Sequence, residues 1–207
     1  MKFSVSKEKL LEGLQTVQNV VSTRTTLPIL SNVLLQANGT ELKLTTTDLD
    51  VGVRGSVEAT VEKPGATTLP ARRLFTIIRE LPSSEVQIEV DSKNVASIRS
   101  GPSFFKILGL PEEEFPPLPK FEKAKVFTLR QKDLKDGLKK TAYAISTDET
   151  RYVLNGILFT FKDNKLTLVA TDGRRLALVD IELEFPRSHE VDIIVPSKAV
   201  TELGRLL

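Results

Sequence analysis

The fold is decided by a stretch of sequence that occurs twice along the chain. The first copy, at residues 3–48, is FSVSKEKLLEGLQTVQNVVSTRTTLPILSNVLLQANGTELKLTTTD, and the second, at residues 127–172, is FTLRQKDLKDGLKKTAYAISTDETRYVLNGILFTFKDNKLTLVATD. A shift of 124 positions aligns them without a gap, with Gly13 on Gly137 and Thr47-Asp48 on Thr171-Asp172. Chance likeness between two leucine-rich segments is the alternative, but the matches also include Gly, Ser, Thr and Asp. We therefore interpret the chain as a tandem duplication.

The second copy lacks the end of the first. After two inserted residues the match resumes, with Pro70-Ala71-Arg72 on Pro196-Ser197-Lys198 and Leu81 on Leu207. The first copy continues through strand-like segments over residues 85–108, and these have no counterpart in the second. Either the sequence is a truncated piece or the natural chain continues beyond it. We expect a first module at residues 1–119, a linker at 120–124 and a truncated second module at 125–207.

Each copy has the same order of predicted elements. Apolar residues recur at three- and four-residue steps over Leu10–Val21 and Leu134–Ile145, which predicts an amphipathic first helix. A second helix is predicted after Pro70 and after Pro196, because proline suits the first helical turn, and hairpin turns are predicted at Asn38-Gly39 and Asp163-Asn164. Alternating, β-rich segments predict strands, at Ile29–Gln36, Glu41–Thr46, Val51–Val61, Val153–Phe161, Lys165–Ala170 and Leu176–Leu183. The fold class is therefore α+β, with two helices packed on antiparallel sheets in each module.

The composition narrows the function class. The chain has 207 residues, no cysteine, 27% charged residues and a formal net charge of only +2. Disulfides and thiolate metal sites are excluded, and a reducing compartment, the cytoplasm, is expected. There is no apolar run long enough for a membrane span and no signal-peptide pattern at the start. If DNA is the partner, its binding requires the positive charge to lie on one face.

The second helices carry such a face. Arg72 and Arg79 lie opposite the apolar stripe of the first copy, and Lys198 and Arg205 occupy the matched positions of the second. A solvated helix surface is the alternative interpretation. Repetition of the same charge at matched positions favours contacts with phosphates, which need positive charge but no base-reading group. The first helix of the second copy adds further basic residues opposite its core stripe, at Lys132, Lys139 and Lys140.

No catalytic constellation is apparent. The single histidine, His189, lies in a loop-like stretch without a relay partner, and we expect it at the surface. Asp48 and Asp172 could belong to a carboxylate pair, but a strand-end turn repeated by the duplication is the favoured interpretation. A nuclease or nucleotidyltransferase would need clustered acidic metal ligands. A generic scaffold would show neither a basic face nor an apolar groove. We therefore predict a protein that is not an enzyme and needs no metal or cofactor.

Several motifs resemble the bacterial DNA sliding clamps, the beta subunits of DNA polymerase III. The first-module motifs are Met1-Lys2-Phe3, Thr26-Leu27-Pro28-Ile29-Leu30, Thr47-Asp48-Leu49, Pro64-Gly65-Ala66-Thr67-Thr68 and Pro70-Ala71-Arg72. The second-module motifs are Arg151-Tyr152, Leu154-Asn155-Gly156, Ala170-Thr171-Asp172-Gly173-Arg174-Arg175-Leu176-Ala177 and Val195-Pro196. The resemblance covers essentially the whole chain. It implies modules that, three per subunit, close head-to-tail as a homodimeric ring around duplex DNA, so that this chain lacks a third module.

The resemblance also implies roles for individual residues. DNA contact is expected at Arg24, Arg73, Tyr152, Lys198 and Arg205, in addition to the basic faces above. A pocket for short apolar motifs of the polymerase, the clamp loader and repair proteins is expected at Leu154, Thr171, Gly173, Arg174, Arg175 and Leu176. Ring closure is expected along the edge strand Ser103–Leu108, at Phe104, Phe105, Lys106, Ile107 and Leu108. Arg174 stands where the family often has His, and Val153 where a second aromatic residue often follows Tyr152. The implied location is the cytoplasm, at the nucleoid.

Overall fold

A computed structural model describes residues 1–21, 27–82, 84–119, 124–148 and 150–207. The chain divides into two compact units, Met1–Pro119 and Lys120–Leu207. We call them unit 1 and unit 2, and each is described by itself. The linker predicted at 120–124 falls almost wholly outside the described residues.

Unit 1 contains two antiparallel sheets and two α-helices. In chain order its elements are β1 (Lys2–Ser6), α1 (Lys7–Val17), β2 (Asn32–Asn38), β3 (Glu41–Thr47), β4 (Gly52–Glu58), β5 (Thr60–Lys63), β6 (Gly65–Pro70), α2 (Ala71–Glu80), β7 (Glu85–Val90), β8 (Val95–Ser100) and β9 (Ser103–Leu108). A four-stranded sheet has the order β4-β3-β2-β6, and a five-stranded sheet has the order β5-β1-β7-β8-β9. Both helices and both sheets contribute to a single core, which includes Leu14, Leu35, Ile78 and Ile88.

Unit 2 repeats the helices and the four-stranded sheet. Its elements are α3 (Gln131–Thr141), β10 (Gly156–Lys162), β11 (Lys165–Thr171), β12 (Leu176–Glu182), β13 (Val191–Pro196) and α4 (Ser197–Leu206). The sheet has the order β12-β11-β10-β13, and within the described residues of this unit it is the one sheet. Its core is built around Leu138, Ile157, Leu168 and Val200.

The two four-stranded sheets have the same register. Leu35 lies opposite Leu44 in unit 1, and Phe159 lies opposite Leu168 in unit 2. Pro70 of β6 lies opposite the first residue of β2, and Pro196 of β13 lies opposite the first residue of β10. The two-residue insertion in unit 2 therefore falls between β12 and β13, which correspond to β4 and β6 of unit 1. The predicted duplication and the α+β class, with helices packed on antiparallel sheets, are both confirmed.

A glycine in each first helix lets the helix lie close against its sheet. A Cβ atom on Gly13 would lie 2.6 Å from Leu44 Cδ1, and one on Gly137 would lie 2.7 Å from Leu168 Cδ1. Val57 and Ile181 form the second wall at these positions and are themselves related by the 124-residue shift. The close helix–sheet contact is therefore part of the repeated architecture.

Several predicted strand boundaries are wrong. The strands predicted to begin at Ile29 and Val153 begin at Asn32 and Gly156, because 3-10 turns occupy Pro28–Ser31 and Tyr152–Leu154. The strand predicted over Val51–Val61 is two strands in different sheets. The break falls at Ala59, between β4 and β5. The Ala59 N–H still donates to the carbonyl of Thr40 at 2.9 Å, which continues the β3–β4 register by one residue beyond the Glu41–Glu58 pair.

Strands β1, β6 and β13 were not predicted, and β6 and β13 each end in a proline. The prediction of a surface position for His189 is only partly right. Its ring lies edge-on to Phe127 at 5.8 Å between centroids. The histidine is half-buried beside a stack of Phe127 on Phe161.

Candidate functional site

The second helix of each unit presents its basic residues outward. Leu74 and Ile78 of α2 are fully buried, and helical periodicity therefore places Arg72 and Arg79 on the exposed side. Arg73 is exposed as well. The guanidinium of Arg79 interacts with neighbouring side chains. Its Nε donates a hydrogen bond to Glu80 at 2.8 Å, and the group lies 5.8 Å from the Phe75 ring centroid.

Helix α4 repeats this arrangement with one difference. Lys198 and Arg205 are exposed and Val200 is buried behind them. Arg205 donates from Nε at 3.0 Å and from Nη2 at 2.9 Å to the same carboxylate oxygen of Glu202. Glu202 is only 9% exposed, so this acid offsets part of the positive charge of α4.

The remaining predicted DNA contacts lie on other elements. Lys132, Lys139 and Lys140 are exposed on α3, on the side away from the buried Gly137 and Leu138. Tyr152 is 80% exposed in a 3-10 turn. Arg24 lies outside the described residues.

The Thr-Asp pairs close the same turn in both units. Asp48 Oδ1 accepts hydrogen bonds from the N–H groups of Asp50 and Val51 at 3.1 and 2.8 Å. Asp172 Oδ1 accepts from those of Arg174 and Arg175 at 2.9 and 3.0 Å. The prediction of a repeated strand-end turn is confirmed.

The two turns also share a backbone conformation, and hydrogen bonds favour the charged form of Asp172. Leu49 and Gly173 occupy the same place and both have a positive φ, of 82° and 86°. The N–H of Arg174 donates to the Asp172 carboxylate and lowers its pKa most, followed by that of Arg175. This carboxylate is therefore a structural acceptor that favours the charged form.

The residues predicted for the partner pocket come from two neighbouring segments of unit 2. Leu154 ends the 3-10 turn before β10, and Thr171–Leu176 form the turn between β11 and β12. Leu176 is 63% exposed, and Gly173, Arg174 and Arg175 are exposed with it. Arg151, which the sequence analysis did not select, has its Nη1 3.7 Å from the position of a Cβ atom on Gly173. It links the segment that carries Leu154 to this turn.

Apolar residues continue from this turn across the outer face of the sheet. The register aligns Leu178, Val169, Leu158 and Ile194 in one row across the four strands. Because directly opposed residues share a face, their side chains point to the same side. Leu178, Leu158 and Ile194 are 56%, 36% and 45% exposed. Unit 2 therefore presents an apolar strip beside the predicted pocket.

In unit 1 the corresponding face is covered. Leu30 and Leu34, the counterparts of Leu154 and Leu158, are buried against Phe115 in a small apolar cluster. Leu110 forms a two-bond backbone bridge with Thr68, at 3.0 and 3.1 Å. The packing role of Phe115 was not predicted from the sequence, although an aromatic residue among prolines was an available signal.

Strand β9 forms one edge of the five-stranded sheet. It pairs with β8 alone, and Phe104, Phe105 and Leu108 are 49%, 41% and 68% exposed. Lys106 is exposed too, whereas Ile107 is buried in the core. Arg99 lies 5.0 Å and Lys106 5.7 Å from the Phe104 ring centroid. This edge combines unpaired backbone groups with aromatic and basic side chains.

Within the described part of the chain, no three His, Asp or Glu side chains come together as a metal site requires. No described helix is long and apolar enough to cross a membrane.

Family comparisons cover nearly the whole chain. Residues 1–119 match the family model of the DNA polymerase III beta subunit, N-terminal domain, and residues 128–207 match that of its central domain. The beta sliding clamp of Chlamydia muridarum is 41% identical over 206 residues, and that of Bacillus subtilis is 34% identical over 215. These alignments span all of this chain but only 56% and 57% of the relatives.

Solved structures give the same result. The crystal structure of the DNA polymerase sliding clamp from Bacillus subtilis superposes with a TM-score of 0.97 at 34% identity and covers 100% of this chain and 57% of that one. The sliding clamp of Bartonella birtlesii bound to griselimycin gives a TM-score of 0.92 at 43% identity, with 100% and 56% coverage. The chain thus spans a little over half the length of the proteins that it resembles.

Proposed function

The chain belongs to the bacterial beta sliding clamp family, the DNA polymerase III beta subunits, and we propose that it forms part of a ring around duplex DNA. In that ring it acts as a processivity factor that tethers the replicative polymerase, with no active site of its own. Such a protein holds DNA by enclosure, so its surface contacts need neither sequence specificity nor high affinity. The proposed place of action is the cytoplasm, at the nucleoid.

The observation that carries this proposal is the basic outer face of α2 and α4. Arg72 and Arg79 in one unit and Lys198 and Arg205 in the other occupy matched, exposed positions on helices of matched length. Phosphates are recognised by positive charge irrespective of sequence, which is what a mobile tether requires. The ion pairs of Arg79 and Arg205 with neighbouring acids weaken this charge without removing it.

Further DNA contacts are proposed on the surrounding surface. Lys132, Lys139 and Lys140 extend the basic surface of unit 2 along α3. Tyr152 offers an exposed ring for stacking or for contact with the sugar-phosphate backbone. Arg24 and Arg73 complete the set that we propose.

Partner proteins are proposed to bind at Leu154, Thr171, Gly173, Arg174, Arg175 and Leu176 through short apolar motifs of the polymerase, the clamp loader and repair proteins. Unit 1 supports this part of the proposal, because its own segment Leu110–Phe115 packs on the counterparts of Leu154 and Leu158. That segment supplies a leucine and a phenylalanine, so this face of unit 1 accepts large apolar side chains. The open strip on unit 2 is therefore suited to an extended apolar segment.

Ring closure is proposed along β9. An edge strand with free backbone groups and exposed Phe104, Phe105 and Leu108 is suited to pairing with a strand of another subunit. We propose that the complete protein forms a head-to-tail homodimer through this edge.

A charge-reversal experiment tests the DNA contacts. The variant R72E/R79E/K198E/R205E is compared with K43E/K63E/K93E/K165E, which changes the net charge equally at positions off the helices. We expect weak, sequence-independent binding of labelled duplex by the unaltered chain, with an affinity that falls steeply with salt concentration. The first variant should weaken binding about tenfold or more at low salt, since it replaces four attractive charges with repulsive ones. Equal loss in both variants would show that only net charge matters and would contradict the proposed face.

A further inference from the structure

Unit 2 has a cavity between its two helices that shares only Lys139 with the proposed DNA contacts and only Arg175 with the proposed partner pocket. Its volume is about 620 Å³, and it opens between α3, α4 and the segment that follows α3. Leu138, Ala142, Ile145 and Val200 supply apolar wall. This volume lies within the range of pockets that hold small organic ligands, roughly 300–1,000 Å³.

The lining of the cavity differs from the matched positions of unit 1, which carry large apolar side chains. At the matched positions Ile78 is replaced by Gly204, Phe75 by Thr201 and Leu11 by Lys135. Ile78 is fully buried, and Leu11 and Phe75 pack against the same core. These three apolar side chains of the unit 1 core therefore have no apolar equivalent in unit 2.

The open space reaches the backbone of α4. A Cβ atom placed on Gly204 would meet no atom within 4 Å apart from its chain neighbours and the nearby backbone of its own helix. Glycine inside a helix is also less favourable than alanine. Local helix stability therefore does not explain the glycine, whereas room for a bound group does.

The rim of the cavity is basic. Lys135, Lys139 and Arg175 line it, and no acidic side chain is among its lining residues in the described part of unit 2. Lys135 and Lys139 replace Leu11 and Gln15 of unit 1, so the positive charge appears together with the loss of apolar volume. Arg175 lies 5.5 Å from the centroid of the Tyr143 ring and is held by Asp172 at 3.1 Å. Its guanidinium therefore lies at the solvent-exposed rim, where Asp172 is its ion-pair partner.

We propose that this cavity is a binding site for a small organic anion, with an aromatic or branched apolar body and a carboxylate head. The body occupies the space that Phe75 and Ile78 fill in unit 1. The head lies at the rim, where Lys135 and Lys139 supply positive charge and the Ser197 and Thr201 hydroxyl groups lie within the same lining. Of the six residues proposed to bind partner motifs, Arg175 alone lines this cavity. The two sites are therefore separate apart from one shared side chain.

Three probes test the proposal by calorimetry on the 207-residue chain. Biphenyl-4-carboxylate has both the body and the head, biphenyl-4-carboxamide has the body without the charge, and acetate has the charge without the body. We expect the carboxylate to bind at least about fivefold more tightly than the carboxamide, and acetate not to bind measurably. Amide resonances of Thr201 and Gly204 should shift during the carboxylate titration.

Two variants place the binding in the cavity. Gly204→Ile restores the side chain found in unit 1 and should weaken binding about tenfold or more by occupying the space. K135Q/K139Q should weaken carboxylate binding about fivefold without affecting the carboxamide. The matched control K132Q/K140Q removes the same charge from the exposed side of α3 and should leave the affinity for the carboxylate unchanged.

Three outcomes would overturn the proposal. The first is the absence of binding at millimolar carboxylate. The others are equal affinities for the carboxylate and the carboxamide, and equal losses of carboxylate affinity in the two lysine double variants. If Gly204→Ile does not fold, as judged by its far-ultraviolet circular dichroism, the comparison of the lysine pairs decides alone. None of these results depends on DNA or on partner motifs, so the proposed clamp function is neither supported nor weakened by them.

Discussion

The outer faces of the two four-stranded sheets have the same register but opposite surroundings. Leu34 lies opposite Thr68 in unit 1, and Leu158 lies opposite Ile194 in unit 2. The first pair is 8% and 0% exposed, whereas the second is 36% and 45% exposed. The difference comes from one segment, because Leu110 and Phe115 cover the face in unit 1.

A polar residue occupies the covered position and an apolar residue occupies the exposed one, which is the reverse of the usual burial of apolar side chains. The covered position carries Thr68, whose hydroxyl donates to the carbonyl of Leu110 at 3.0 Å. The open position carries an isoleucine. A contiguous exposed apolar strip on an otherwise polar surface indicates a surface that something else covers. Duplication has thus preserved the backbone while unit 1 covers this face itself and unit 2 leaves it available.

Phe115→Ala tests whether the covering segment stabilises unit 1. Phe115 is 7% exposed, and removing a buried phenylalanine costs about 3–5 kcal/mol. We expect hydrogen exchange of the β2 and β6 amides to accelerate accordingly, because the segment that closes their outer face is released. Phe104→Ala, at a position that is 49% exposed, is the control and should change stability by about 0.5 kcal/mol or less. Equal effects of the two changes would show that the face of unit 1 does not need its cover.

Gly13→Ala and Gly137→Ala compare the helix–sheet contact in the two units. Overpacking costs about 1–3 kcal/mol, against a gain of about 1 kcal/mol in helix propensity. In unit 1 the new methyl group meets Leu44 and Val57 at 2.6 and 2.8 Å, and in unit 2 it meets Leu168 and Ile181 at 2.7 and 3.0 Å. We expect a net loss of about 0–2 kcal/mol for Gly13→Ala and less for Gly137→Ala, measured by urea unfolding.

Gly204→Ala is the control for this pair, because its methyl group meets open space. It should stabilise unit 2 by about 0.5–1 kcal/mol through helix propensity alone. A larger loss at Gly137 than at Gly13 would mean that the core of unit 2 is the less adaptable of the two.

Leu176→Ala tests whether the open face of unit 2 binds apolar motifs. A fluorescent peptide that contains leucine and phenylalanine is titrated against the unaltered chain and the variant. We expect about a tenfold loss of affinity, or about 1.4 kcal/mol, because an anchoring contact is removed. Leu49→Ala is the matched control, since Leu49 is 61% exposed in the equivalent turn of unit 1 and Leu176 is 63% exposed. A loss of affinity in the control as large as that in Leu176→Ala would contradict a pocket confined to unit 2.

The parts of the fold that depend on local sequence were predictable. The helix starts after Pro70 and Pro196, and the turns around Asp48 and Asp172, follow from residue types at fixed spacing. The strand break at Ala59 was not predictable, because it depends on β5 leaving the β3–β4 pairing to pair with β1 at the distant start of the chain. Periodicity cannot assign consecutive residues to two different sheets when both halves alternate.

The surfaces were predictable to different degrees. The exposed charges on α2 and α4 follow from helical periodicity once the apolar stripe is known. The covered face of unit 1 depends on Phe115 packing on residues about 80 positions earlier, and no local pattern reveals such a contact. The interhelical cavity could have been found by comparing side-chain sizes at duplicated positions, such as Ile78 and Gly204.

Strand β1 has a consequence for the order in which unit 1 folds. It lies inside the five-stranded sheet, and Ser4 is opposite Thr60 on one side and Gln87 on the other. The hairpin of β2 and β3 needs only neighbouring residues, whereas β1 must remain unpaired until distant parts of the chain arrive. Contacts between distant residues form late because closing long loops costs entropy before it is repaid. During synthesis, the sheet that carries the edge strand β9 would therefore be completed after the sheet against which Phe115 packs.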